Sequence, residues 1–357
     1  MKPYLLSSIA LSAFLLSSCG NKPQEEAPAQ QASEPVIEVP GADTTFTARG
    51  NPVIRHKHVG DPAAMVWGGQ LWIYGGVDEC PEPGQYYLMN EWAVFSTQDL
   101  KTFQEYPCPL HARDFEWSKG EAWASQVIER NGKFYWYVTV ENNESDPGKC
   151  IAVAVGDSPI GPFKDALGKP LVKNSDTAQP RPNMWWDDID PTVFIDDNGQ
   201  AYLYWGNSNC YWAKLKENMI ELDSEIHKVE FSIDPQLKAN GSAYADGFTY
   251  TEAPWLHRQG DWYYLSFAQE WPEKLGYAMS KSPEGPWEYK GLLNELSGNS
   301  NTNHQAIVEF NGEWYVIYHN GALPDGCGFR RSVCIDRIHY NADGTMQRMV
   351  MTSEGVQ

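Results

Sequence analysis

Asn131-Gly132-Lys133-Phe134-Tyr135-Trp136-Tyr137 is a tight turn that runs straight into an aromatic strand, and the chain writes it five times. The other copies are Gly68-Gly69-Gln70-Leu71-Trp72-Ile73-Tyr74, Asn198-Gly199-Gln200-Ala201-Tyr202-Leu203-Tyr204, Gln259-Gly260-Asp261-Trp262-Tyr263-Tyr264-Leu265 and Asn311-Gly312-Glu313-Trp314-Tyr315-Val316-Ile317. Asn-Gly favours the two-residue hairpin turn because both positions tolerate positive φ. A short apolar run precedes each copy, so each reads as a β-hairpin. The second glycine falls at 69, 132, 199, 260 and 312, and the spacing of 52 to 67 residues is room for about four strands with their turns. Four-stranded units repeated at a long period predict an all-β, five-bladed propeller around a central funnel. A second echo agrees: Asp157-Ser158-Pro159-Ile160-Gly161-Pro162-Phe163 and Lys281-Ser282-Pro283-Glu284-Gly285-Pro286-Trp287 are one turn used in two blades.

The repeat also aligns chemistry. The strand before each turn opens with Asp61, eight residues before Gly69; with Asp190, nine before Gly199; with Glu252, eight before Gly260; and with His304, eight before Gly312. Unit two has Trp123-Ala124 there. The first strand of a propeller blade lines the channel, so equivalent strand starts ring one mouth. Asp61, Asp190 and Glu252 are therefore expected to converge. An acid opening a buried strand is costly unless it is paired or used. Two carboxyl groups suffice for glycoside hydrolysis, one as acid and one as base or nucleophile, and a third beside the acid raises its pKa. No metal or organic cofactor is required for that chemistry. Groups on opposite walls of a mouth favour a wide gap and inversion.

Composition narrows the partners. The chain has 357 residues, 15 Trp and 19 Tyr, and a net charge of -20. That charge argues against nucleic acid and against polyanionic substrates. Flat aromatic faces with polar edges suit neutral sugars. At the N-terminus, Lys2, the apolar run Leu5 to Leu16 and the sequence Leu16-Ser17-Ser18-Cys19 read as a secretory signal ending at a cysteine that is lipidated. The run is too short to span a bilayer. Pro-, Gln-, Glu- and Ala-rich sequence follows, a tether rather than a fold. The expected organisation is a signal peptide over 1–18, lipidated Cys19 and its tether over 19–46, and the propeller over 47–357. The protein would be exported and held to the cell envelope by its lipid alone. Six further cysteines allow fifteen pairings, and none has zinc-site spacing.

The sequence resembles glycoside hydrolase family 43, the enzymes of arabinan and xylan side chains. The resemblance rests on Asn51-Pro52-Val53-Ile54 leading to Asp61-Pro62, Trp123-Ala124, Gly161-Pro162-Phe163, the run from Ile189 to Asp196, Tyr204-Trp205-Gly206, Thr251-Glu252-Ala253-Pro254-Trp255, Asn303-His304 and Arg330 to Cys334. It implies an inverting five-bladed propeller with Asp61 as general base, Glu252 as general acid and Asp190 orienting the acid and tuning its pKa. Ala253 stands where the family often has Gly. By the same resemblance His304 holds a calcium ion or an ordered water, the alternative being a hydrogen-bonded structural histidine, and Arg331 reaches the sugar or the carboxylates at the mouth; His304 is also a candidate substrate contact. Trp123, Trp205, Trp186 and Trp271 are candidates for stacking on it. The expected activity is an exo-acting α-L-arabinofuranosidase on arabinoxylan, arabinan or other plant cell-wall hemicellulose oligosaccharides. The alternatives are a β-xylosidase of the same family and a surface sugar-binding propeller without catalysis.

Overall fold

The computed structural model describes residues 35–356, apart from 83, 85, 144 and 145. The signal segment, Cys19 and most of the tether lie outside the described residues. Within them the chain forms five antiparallel-based sheets in chain order, the blades of a propeller. Each repeated turn joins the first two strands of a blade: Val59–Trp67 to Gln70–Val77, Ser125–Arg130 to Lys133–Asn142, Thr192–Ile195 to Ala201–Trp205, Tyr250–Gln259 to Trp262–Gln269, and Gln305–Phe310 to Glu313–Asn320. The turn glycines 69, 132, 199, 260 and 312 all have positive φ, as do Asn131 and Asn311, which is the backbone that Asn and Gly accept most cheaply.

The first strands of neighbouring blades pack against one another around the axis. Between blades lie apolar layers rich in aromatics, including Trp72, Trp92 and Trp136 in one and Tyr204, Trp287 and Tyr289 in another. The alternation of a strand explains both roles: one face meets the neighbouring blade while the strand's opening residue reaches the mouth.

The ring is closed by the stretch just before blade one. Val53 N donates to Val333 O at 2.8 Å, and Val59 N donates to Arg331 O at 2.8 Å, so this stretch lies along the outer strand of blade five. Buried Asn51 locks it there by donating to Ile335 O and accepting from Ile335 N. The ordered fold also starts ahead of residue 47. Ile37 N donates to Gly68 O at 2.8 Å, and Thr44–Thr47 pairs with Thr102–Tyr106 at the outer edge of blade one. An open sheet edge offers backbone donors and acceptors that a passing polar segment can satisfy. All six cysteines of the described domain are free thiols, with Cys150, Cys210 and Cys334 packed as small apolar groups.

Candidate active site

The three repeat-aligned acids line one cavity of about 1010 Å³. Local backbone aims them. Asp61 and Asp190 adopt positive φ (48° and 61°), and so does Ala253 (55°), directly after Glu252. The strand register slips beside Asp61 and on both sides of Glu252. Bulges of this kind re-aim side chains at sheet ends, and a non-glycine residue at positive φ costs about 1–3 kcal/mol. In three blades that strain falls at the repeat-aligned acid or at the residue directly after it.

Each acid has a different environment. Asp61 accepts from Arg331 Nη1, and its backbone N–H donates to His319 Nδ1 at 3.1 Å. Burial alone would push its carboxyl up, but Arg331, then His304 and His319, outweigh burial and hold it at about 2. Glu252 is pushed the other way, to about 7, by burial first and the Asp61 charge second. Its Oε2 accepts from Asn207 Nδ2. Asp190 is raised well above the carboxylate range by burial and then by Glu252 and Asp61. Asp190 Oδ2 accepts from the backbone N–H of Ala253 at 2.9 Å, so it grips the chain at the residue next to Glu252. Gln305 Nε2 holds the same residue from the other side, donating to Ala253 O at 3.0 Å.

Arg331 is fully buried at the cavity floor, its guanidinium 5.0 Å from the Tyr87 ring. Arg330, just ahead of the strand Ser332–Arg337, binds instead the backbone carbonyls of Cys80 and Pro81.

The aromatic candidates divide. Trp123 and Trp186 line the cavity, as does Trp271, which is 66% exposed. Trp205 does not. It is 0% exposed and its Nε1 donates to Asp188 Oδ1 at 2.7 Å, so it is blade core and cannot stack on a ligand. His304 is also corrected as a substrate contact. It is buried, absent from the cavity lining, and sits behind the acids with Nδ1 3.8 Å from both Asp61 Oδ1 and Asp190 Oδ2. Burial lowers it to about 4, so it is neutral. Its neighbourhood fits calcium poorly. Calcium takes six to eight oxygens, whereas here Asp61 Oδ1 is held by a guanidinium and Asp190 Oδ2 by a backbone N–H.

Several site residues escaped sequence reasoning. Glu273, a fourth carboxylate, lies in the cavity wall and is 1% exposed. Asp78 holds Arg331, and Asn207 holds Glu252. Blade two supplies Glu121, which accepts from Trp123 Nε1 at 2.9 Å. Under the Trp123 ring, 3.9 Å from its centroid, lies the ammonium of Lys149, whose side chain is 0% exposed. Phe329, Tyr87, Trp123, Trp185 and Trp186 form a continuous chain of ring contacts along one wall. Asn207, Glu252, Thr251, Glu270 and Glu273 make the opposite side polar.

Comparison with known proteins places this geometry. The model of the glycosyl hydrolases family 43 matches residues 49–346. Xylosidase/arabinosidase 43A of Humicola insolens is 30% identical, over 82% of this chain and 97% of that protein. A family 43 β-xylosidase/α-arabinofuranosidase from a compost microbial metagenome, solved in complex with xylotriose, superposes with a TM-score of 0.73 at 26% identity, covering 86% of this chain and 98% of that one. An α-L-arabinofuranosidase from Clostridium thermocellum is 36% identical with a TM-score of 0.63, over 83% of this chain and 95% of that one.

Proposed function

The chain belongs to the glycosyl hydrolases of family 43, and we propose that within it this protein is an inverting, exo-acting α-L-arabinofuranosidase that removes arabinose from arabinoxylan or arabinan. One observation carries the reading: a single cavity holds one carboxyl kept ionised, Asp61 at about 2, and another kept protonated toward neutrality, Glu252 at about 7. Two titratable groups pushed apart in this way suit a base and an acid working together. In this account Asp61 takes a proton from a water molecule as its oxygen attacks the anomeric carbon. The glycosidic C–O bond breaks, and Glu252 gives its proton to the departing oxygen. Asp190 holds the acid's backbone through Ala253 N–H. Arg331 keeps Asp61 ionised. The aromatic wall supplies flat faces for the sugars.

The arabinose preference is supported by the identity to the Clostridium enzyme, whose name is arabinofuranosidase. A β-xylosidase remains the second reading, because the Humicola relative carries both names. Export and anchoring through Cys19 belong to the same proposal and rest on the lipidation sequence alone.

The test is kcat/KM on p-nitrophenyl α-L-arabinofuranoside against p-nitrophenyl β-D-xylopyranoside. A preference of about tenfold or more for the furanoside supports the proposal; the reverse makes the protein a xylosidase. Turnover of neither, with retained binding of arabinoxylan, makes it a sugar-binding propeller. For the anchor, Cys19→Ala should move the protein from the membrane fraction to the soluble one.

A further inference from the structure

Glu273 is a buried carboxyl in the cavity wall that the mechanism above leaves unused. It stands at the turn into the third strand of blade four, Lys274–Ser280, and faces the acid across the hairpin. Its Oε2 accepts from the backbone N–H of Asn303 at 2.8 Å. Its Oε1 is buried and has no donor among the described residues. The carboxyl of Glu252 lies within hydrogen-bonding reach of it. Two carboxylates in that position would repel, and Glu273 Oε1 would be left unsatisfied. Once Glu252 has given up its own proton, a proton kept on Glu273 removes both costs.

The ownership of that proton follows from the surroundings. Glu252 has Asn207 Nδ2 donating to it and Arg331 nearby, both of which favour its charged form. Among the described residues Glu273 has one donor, the Asn303 N–H, and besides Glu252 the acidic groups facing it are Asp190 and Asp61, which disfavour its ionisation. Glu121 and Glu270 line the cavity too, while His304 and His319, lowered to about 4 and about 3, are neutral.

We propose that Glu273 is a positioning residue of the proposed hydrolysis: a carboxylic acid kept neutral, whose O–H donates to Glu252 and fixes both the direction and the proton affinity of the general acid. The inference rests on the reading of Glu252 as that acid. The donated hydrogen bond stabilises Glu252 in its ionised form, so it limits how far burial raises the acid's pKa and keeps it able to give up its proton near neutral pH.

Two variants test this. In Glu273→Gln, the amide oxygen can accept from Asn303 and the amide N–H₂ can donate to Glu252. In Glu273→Met, no donor remains. The measurements are kcat/KM against pH, and rates on aryl glycosides with a poor leaving group (4-methoxyphenyl) and an activated one (2,4-dinitrophenyl). Circular dichroism and thermal melting first establish that each variant is folded. Glu273→Gln should keep the alkaline limb within about half a pH unit of the parent. Glu273→Met should move that limb upward by about one unit and slow the poor leaving group about tenfold, with little change on the activated one. A downward shift of the limb in either variant means that Glu273 is ionised, and overturns the inference. So does an unshifted limb in Glu273→Met, which leaves only a structural role. If Glu273→Met fails to fold, the Glu273→Gln limb decides alone, because an ionised Glu273 predicts a fall and a neutral donor none. Glu252→Gln separates the two readings: it should spare the activated substrate and slow the other. Its failure to do so removes the acid assignment itself, whereas failure confined to the Glu273 variants removes only this inference.

Discussion

Asp78 holds Arg331 by two parallel hydrogen bonds, Nε to Oδ2 at 2.9 Å and Nη2 to Oδ1 at 2.8 Å, which leaves Nη1 for Asp61. Asp78 Oδ2 also accepts from the backbone N–H of Arg331. The fork geometry is the strong form of the contact, and it fixes the guanidinium that keeps Asp61 ionised. Asp78→Asn should therefore loosen Arg331 and let the Asp61 pKa rise from about 2. Because that pKa is depressed in the fold, ionisation is lost only as pH falls through it, so a rise moves the acid limb of kcat/KM to higher pH. Breaking one partner of a buried pair also costs about 3–5 kcal/mol, readable by urea denaturation.

Glu252 carries the opposite sign. Its folded pKa, about 7, lies above the usual 4.5 of a free Glu, so the fold is favoured at low pH and loses that advantage as pH rises through 7. Replacing it by Gln removes the buried charge. Glu252→Gln should raise the melting temperature by several degrees at pH 8 and leave it nearly unchanged at pH 4, where the parent side chain is already neutral.

Trp271 and Trp205 give a paired contrast. Trp271 stands exposed at the cavity edge, whereas Trp205 is sealed in a blade with its N–H on Asp188. Trp271→Ala should raise KM on arabinoxylan oligosaccharides several-fold without changing the melting temperature. Trp205→Ala should cost about 3–5 kcal/mol of stability, measured by denaturation, with no selective effect on KM.

Lys149 lies beneath the Trp123 ring, with Glu121 and Glu141 oxygens 3.6 and 3.7 Å from its ammonium. Burial lowers it to about 8, against the pull of those two carboxylates. A desolvated cation against an aromatic face is worth about 2 kcal/mol. Lys149→Met should loosen Trp123 and raise KM several-fold with kcat little changed. In the parent the same rise in KM should appear as pH passes above 8.

The hairpins and the acids were legible for one reason: the acids sit eight or nine residues ahead of the glycine that closes each repeated turn. Asp61, Asp190 and Glu252 open first strands, and five repeats make such an offset visible. The missed residues follow an equally regular rule that runs through the hairpin. A second strand runs antiparallel to the first and returns to the same rim, so the residues at and after its end line the cavity or hold a residue that does. Asp78 follows Gln70–Val77, Asn207 follows Ala201–Trp205, and Glu270 follows Trp262–Gln269. Glu273 lies one turn further on, beyond that rule. Trp205 went astray because its motif neighbours reach the rim while its own position faces the blade. Lys149 and its Trp platform come from separate strands and loops, and no spacing in the sequence joins them.

In the proposed reaction Asp61 directs water to one face of the sugar while Glu252 protonates the oxygen leaving from the other. Proton NMR of the first-formed sugar released from an α-L-arabinofuranoside, recorded before mutarotation, reads this directly. The account predicts the β anomer; release of the α anomer would contradict it.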